Sequence, residues 1–189
     1  MVARRLGEHV GEMCLIRPIS ADGEWLEAAG AAYHRDPELL AAARQVLSSL
    51  RQRVGQGVSG AVAATGQPLL ISRVDSSELL ASTEAGYRPL IERLRVASLI
   101  TLPLLCRGKV VAVANLTRSD ANHPYSEDDL GFAQSVADHA ALALGNALSY
   151  AAERAARDAA EAATIALREA EARFAGCPSP GSSASWWPI

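Results

Sequence analysis

The sequence predicts an α+β domain of antiparallel strands closed by a long C-terminal helix. Three observations predict it. Two pairs of apolar runs are each joined by a turn signal, Met13 to Ile19 with Trp25 to Tyr33, and Ala97 to Cys106 with Lys109 to Thr117. Short connections of this kind make antiparallel hairpins. Helix-period segments fall between the two pairs, and from Leu130 an apolar stripe at 3-4 spacing runs on to Ala166.

The elements follow in chain order. Ala21-Asp22-Gly23 is the turn of the first hairpin. Asp36-Pro37 supplies a cap and a proline at the first helical position, and Leu39, Leu40, Ala43, Val46, Leu47 and Leu50 form the apolar stripe of an amphipathic helix that ends near Arg51-Gln52-Arg53-Val54. A short helix from Val58 to Thr65 is stopped by Gly66 and Pro68. Leu69 to Ile71 reads as a third strand, a polar loop runs through Ser82, and a short helix covers Pro89 to Leu94. Arg107-Gly108 turns the second hairpin.

Composition narrows the function classes. With 189 residues, 49% of them hydrophobic, the chain can bury one sizeable core and carry an appendage. Eighteen Lys and Arg against 21 Asp and Glu, with no basic block, give a net charge of −3. That is not the electrostatic footprint of a nucleic-acid binder. Cys14, Cys106 and Cys177 are odd in number and widely spaced, which fits neither a disulfide framework nor a zinc site and points to a reducing cytoplasm. The longest apolar segment, ASLITLPLLC, is far short of the ~20 residues of a spanning helix, and the N-terminus lacks a signal-peptide core. A soluble chain without membrane contact is expected.

Gly55-Gln56-Gly57-Val58-Ser59-Gly60 spells the G-x-G-x-x-G of a dinucleotide-binding loop. That fingerprint needs a buried strand before it and a long crossover helix after it, because the pyrophosphate sits where the helix begins. Neither context is present. The expectation is a tight turn at Gly55 and Gly57, with Gly60 letting the short helix lie close to the sheet.

Ser126 can cap the last helix, Asp129 is the acidic half of a capping box, and Tyr125 can pack on Leu130 as a staple. Leu130, Ala133, Ala137, Ala140, Leu144, Ala147 and Ala151, resuming as Ala152, Ala155, Ala159, Ala162 and Ala166, read as a seam of small residues. Opposite charges four apart, such as Glu153 with Arg157, support the extension by about 0.2–0.5 kcal/mol each. A parallel homodimer through this helix is one reading; a solvated alanine-rich helix is the other.

VGQGVSGAVAATGQPLLI, then SLITLPLLCRGKVVAVANL, then PYSEDDLGFAQSVADHAALALGNALSYAAER resemble, in order and spacing, the blocks of a GAF domain over residues 10 to 153. The resemblance implies a GAF/PAS-like central antiparallel sheet with helices on one face and a small-molecule pocket on the other. It implies a non-enzymatic sensor that signals through its last helix to an output domain such as a histidine kinase, with no metal and an unidentified ligand. It places Arg73, Asp75, Tyr87 and Ile91 on the segment crossing the free face of the sheet, with Ser98, Ile100 and Thr101 beneath, as the pocket lining. An ordinary core without a ligand is the alternative.

The same resemblance puts His139 in the closing helix of the sensor, as a surface or interface histidine and not a phosphoacceptor. Cys106, at the end of a strand, resembles a redox-active cysteine of the GAF-like free methionine sulfoxide reductases, but with no partner cysteine or activating base near it in the sequence it reads as a buried small apolar residue. Asn115, Tyr125 and Asp129 partly resemble the cyclic-nucleotide motif of some GAF domains, but Leu116 and Leu130 stand where that motif has lysine and glutamate. Effector binding in a transcription regulator is a further alternative.

The expected organisation is a sensory domain over 1–150 with a shortened first helix, a helical extension over 151–173 and a disordered tail over 174–189. The tail FAGCPSPGSSASWWPI breaks abruptly with the alanine-rich helix. A change of reading frame or a truncated gene is one account of that break.

Overall fold

The computed structural model describes residues 2–28 and 30–175. The chain divides into two compact units, Met1–Gly145 and Asn146–Ile189. In the first unit, helix α1 (Val2–His9) precedes strand β1 (Met13–Pro18), and then come β2 (Trp25–Leu26), β3 (Ala31–His34), α2 (Pro37–Ser49), β4 (Gln52–Arg53) and α3 (Gly57–Thr65). Next are β5 (Leu69–Ile71), α4 (Ser76–Ser82), α5 (Arg88–Leu94), β6 (Ser98–Cys106), β7 (Lys109–Arg118) and the start of α6 (Glu127–Ala175). Five strands form one antiparallel sheet in the order β3-β1-β7-β6-β5, and β2 pairs with β4 in a separate ribbon.

The expected fold class is found, and the β6–β7 hairpin is as the sequence reads. Arg107 and Gly108 both take positive φ, 51° and 78°, which matches a two-residue loop to the twist of its strands. Pro103 fits inside β6 because β5 ends at the Leu69–Thr101 pair, so the missing N–H leaves no ladder bond unmade.

The first hairpin differs from its sequence reading. Trp25 to Tyr33 is not one strand: Ala31–His34 pairs with β1, while nearer the turn Leu26 bridges Ile19 and the Glu27 N–H donates to the Pro18 carbonyl at 2.9 Å, so that end of the hairpin is kept. Trp25 and Leu26 also pair with β4, and the Arg17 guanidinium takes the outward carbonyls of Leu26 and Glu27. Two further differences follow from local chemistry. Arg51–Val54 is not a helix end but contains β4, and the polar loop before Ser82 contains α4, capped by the Asp75 carboxylate on the Ser77 and Glu78 N–H groups at 2.8 and 3.1 Å.

Period-two alternation sends Cys14, Ile16, Ile100, Leu102, Ala112, Ala114 and Leu116 to one face of the sheet. There they pack on Leu6 of α1 and on Ala133, Ala137, Ala140 and Ala141 of α6. Alanines let the helix lie close to the sheet. The opposite face carries Met13 and Leu99 against Ala43 of α2 and Leu90 and Leu94 of α5. Helices therefore cover both faces, where the sequence reading placed them on one.

The start of α6 is the capping box expected. Ser126 Oγ accepts from Asp129 N–H at 3.2 Å, and Asp129 Oδ2 accepts from Ser126 N–H at 2.9 Å. Tyr125 is buried, and Leu130 packs against the same cluster. The first part of the small-residue stripe is spent inside the domain, since Ala133, Ala137 and Ala140 are buried against the sheet. In the second unit Ala155, Ala159, Ala162 and Ala166 are exposed. The side chains of Leu144, Ala147, Ala151 and Ala152, and the tail from 176 to 189 with Cys177, lie outside the described residues.

Candidate functional site

A cavity of about 500 Å³ lies on the α2–α5 face of the sheet. Its floor is Met13 and Leu15 of β1, Leu99 of β6, and Asn115 and Thr117 of β7. The register pairs Leu15 with Asn115 and Met13 with Thr117, so alternate residues of neighbouring strands stand in rows on that face. Leu79 of α4, Tyr87, and Leu90 and Ile91 of α5 form the roof, and Gln56 to Ser59 at the start of α3 form one wall. The walls are mostly aliphatic with few polar groups, as small-molecule sites are.

Arg17 lines the cavity and is 2% exposed. Its five N–H donors are all used: Nε to Glu27 O at 3.1 Å, Nη1 to Gln52 Oε1 at 3.2 Å and to Tyr87 Oη at 2.7 Å, Nη2 to Leu26 O at 2.7 Å and to Leu50 O at 2.9 Å. Every acceptor is a neutral oxygen. Burial lowers the pKa of this guanidinium, while Tyr87, Glu84 and Glu27 oppose the shift; an arginine starting above about 12 stays charged. One side chain thereby joins β1, the β2–β4 ribbon, the end of α2 and the roof.

At the floor, Asn115 Oδ1 accepts hydrogen bonds from Ser59 Oγ of α3 and Thr101 Oγ1 of β6, each 3.0 Å. This bond ties the start of α3 to the middle of the sheet. Both lone pairs of Oδ1 are occupied, and the free side of the amide is its NH₂.

The predicted lining residues separate into groups. Tyr87 and Ile91 line the cavity. Thr101 is buried just beneath it, bonded to Asn115. Arg73 instead borders a second cleft with Ser72, Arg95 and Ser119, a cleft that Ile91 also reaches. Asp75 is spent as the cap of α4, where its hydrogen bonds to Ser77 and Glu78 hold the carboxyl below its ordinary pKa. Ile100 points to the α1–α6 face, and Ser98, whose Oγ accepts from Tyr125 N–H at 3.2 Å, is engaged with the start of α6. Arg17, Gln52 and Asn115 were missed as lining. The sequence held one signal for Arg17, a lone charge inside the apolar strand MCLIRP, since such a charge must find partners when buried.

The glycine motif is a turn. Gly55 and Gly57 take φ of 88° and 59°, where a side chain costs about 1 kcal/mol or more. Gly60 is close-packed against the β2–β4 ribbon and the turn, not the five-stranded sheet: a Cβ there would stand 2.6 Å from the carbonyl of Arg53 in β4. Outside the cavity, Cys14 is buried on the α1–α6 face, Cys106 is half-buried at the end of β6, and both are free thiols. His139 is exposed, with Nδ1 2.7 Å from Ser135 O on its own helix. Asp129 is taken up by the capping box, and Tyr125 lies on the face away from the cavity. Among the described residues no cluster of three metal-ligating side chains occurs, and no helix is long and apolar enough to cross a membrane.

An antiparallel five-stranded sheet with a cavity on one face and the closing helix on the other defines an α+β sensory-type domain. The GAF domain model matches residues 1–144, and the chain belongs to that family, whose members are sensor and regulatory domains of signalling proteins. Among solved structures, the chain is similar to the second GAF domain of DevS from Mycobacterium smegmatis, with a TM-score of 0.56 and 15% identity over 80% of this chain and 96% of that one. It is similar to the GAF domain of a phosphoenolpyruvate-protein phosphotransferase from Coxiella burnetii, at 0.55 and 19% over 78% and 80%. A type II free methionine-R-sulfoxide reductase from Thermoplasma acidophilum is a further neighbour, at 0.51 and 13% over 72% and 82%. Such identities show the fold. No curated protein matches the sequence.

Proposed function

We propose that this domain senses a small molecule in the cavity over β1, β6 and β7 and relays its presence through α6 to an output domain, such as the histidine kinase of a cytoplasmic two-component system. The cavity carries the reading. Its roof is the segment from α4 to α5, tied to the sheet by the Tyr87–Arg17 bond, so filling the cavity bears on that contact. Residues of one strand reach both partners of the relay: Leu15 faces the cavity, while Cys14 beside it packs in the cluster that holds Ala137 of α6. A shift of the sheet therefore bears on the helix.

The exposed alanines from Ala155 to Ala166 supply the surface for a homodimer through α6, and we assign residues 1–150 to the sensor, 151–173 to the helical extension and 174–189 to a separate tail. The enzyme alternative, a free methionine sulfoxide reductase, depends on Cys106, which is not among the residues lining the cavity. Native mass spectrometry of the purified chain tests the proposal, with a retained small molecule and a dimer mass as the expected result. A monomer that retains nothing, and that no compound of a metabolite panel stabilises against heat, would remove it.

A further inference from the structure

The cavity leaves two central strands of the sheet partly uncovered. β1 lies between β3 and β7, and its Cys14 and Ile16 are buried in the cluster that holds α1 and α6, yet Leu15 between them is only half-buried. Asn115 and Thr117 of β7 are half-buried in the same way, although Ala114 and Leu116 beside them are fully covered. With Val58, Leu79 and Ile91, also half-buried, these residues present a mainly aliphatic surface to the cavity. A ligand that displaces water from such a surface gains free energy.

No group inside the cavity is placed to receive a charge. Arg17 and Glu84 are the charged residues of the lining. Every N–H of Arg17 already donates to a protein oxygen, and Glu84 is exposed to solvent. The start of α3 and the end of α4 meet at the wall, where the Ser82 carbonyl stands 3.7 Å from the place of a Cβ on Gly57, so opposite ends of two helix dipoles offset each other. The Ser82 and Thr83 hydroxyls donate to the Leu79 carbonyl, and both sides of the Gln52 amide are bonded. What stays open on the floor is neutral. Asn115 Oδ1 serves Ser59 and Thr101, which leaves Nδ2, and the Thr117 hydroxyl has no partner among the described residues.

We propose that the cavity binds an uncharged, largely hydrocarbon carbonyl compound, its oxygen accepting from Asn115 Nδ2 and its body against Leu15, Leu90 and Leu99. The inference rests on the sensory reading and adds the chemistry of the ligand. A carbonyl oxygen takes up a spare amide donor without bringing a charge. A carboxylate or an ammonium in the same place would lose its water and gain no counterion, a cost that an aliphatic wall does not offset.

Calorimetric titration of the whole chain with benzylacetone and with hydrocinnamate, which has the same shape but a carboxylate oxygen in place of the ketone's methyl group, tests it. The ketone is expected to bind more tightly than the acid, by about tenfold or more. Asn115→Asp keeps an acceptor for Ser59 and Thr101 but puts a carboxylate on the floor in place of the donor, and should weaken the ketone about tenfold. Val58→Phe, at a half-buried position of the wall, fills the cavity and should weaken the ketone by at least about tenfold while the chain stays folded. An acid that binds as tightly as the ketone overturns the uncharged class and leaves the sensory reading standing. Folded Asn115→Asp and Val58→Phe chains that bind the ketone as the wild type does put it outside this cavity and overturn the inference. If neither probe binds, the inference falls, and the ligand retained in native mass spectrometry decides the sensory reading separately.

Discussion

Arg17 Nη1 donates to the Tyr87 hydroxyl at 2.7 Å, and the Arg17 guanidinium carbon lies 5.5 Å from the centre of the Tyr87 ring. Tyr87 Oη donates in turn to the Leu50 carbonyl at 3.1 Å. This contact fastens the roof of the cavity to the sheet.

Removing either partner should therefore loosen the domain, by different amounts. Tyr87→Phe deletes two bonds from a half-buried site, the charge-assisted one from Arg17 and the neutral one to the Leu50 carbonyl, a loss of about 2–4 kcal/mol. Arg17→Met leaves the Leu26, Glu27 and Leu50 carbonyls without this donor together, and should cost more than the tyrosine change. Urea unfolding of both variants measures the two costs. Equal, near-zero costs would mean that the roof is held by its leucines alone.

Burial pushes the Cys14 thiol up to about 12 from an ordinary value of 9.0. As pH rises, the unfolded chain gives up this proton first, so the folded state's advantage is whole below pH 9 and is lost on the way to pH 12. The loss attributable to this thiol is about 2 kcal/mol at pH 10.5. Unfolding at pH 8 and at pH 10.5, compared between the wild type and Cys14→Ala, isolates the contribution of this thiol. A wild type that loses no more stability than the variant would place the thiol in contact with water.

Tyr125 is 1% exposed, and its hydroxyl finds no hydrogen-bond partner among the described residues. The ring is held independently, by Arg118 stacked 4.2 Å from its centre and by the backbone bond to Ser98. Tyr125→Phe removes an unsatisfied buried group and keeps the ring, so it should raise stability by about 1 kcal/mol. A fall in the thermal midpoint would be the contrary result.

What the sequence revealed was local, and what it hid was distant. Asp36, Ser126 with Asp129, and the positive-φ glycines act within four residues of themselves, and each does what its neighbours announce. Asp75-Ser76-Ser77-Glu78 announces a helix cap in the same way, although the sequence reading takes the stretch as a polar loop with Asp75 beside the pocket. The acceptors of Arg17 lie 9 to 70 residues away in the chain, and nothing near MCLIRP identifies them. In β6 the alternation fixes that Leu99 and Thr101 share a face opposite Ile100, but a strand buried on both sides gives no sign of which face holds the cavity.

The seam of α6 carries the proposed relay and is the part most open to direct attack. Charge at Ala137 would strike the sheet interface, because that residue is fully buried in the domain, and a monomer produced there would say nothing about dimerisation. Ala159 is exposed and lies on the second half of the stripe. Ala159→Glu should turn a dimer into a monomer while the unfolding midpoint of the sensor stays within about a degree, since surface changes move stability by less than about 0.5 kcal/mol. Glu161→Gln, off the stripe, should leave the dimer intact. Sedimentation velocity at matched concentration distinguishes the two. Alanine buries little area, so the dimer is expected to be weak, with a concentration-dependent mass in the micromolar range. A wild-type chain that remains monomeric at high micromolar concentration would end the helical-dimer model and leave the relay to a second GAF surface or to a partner chain.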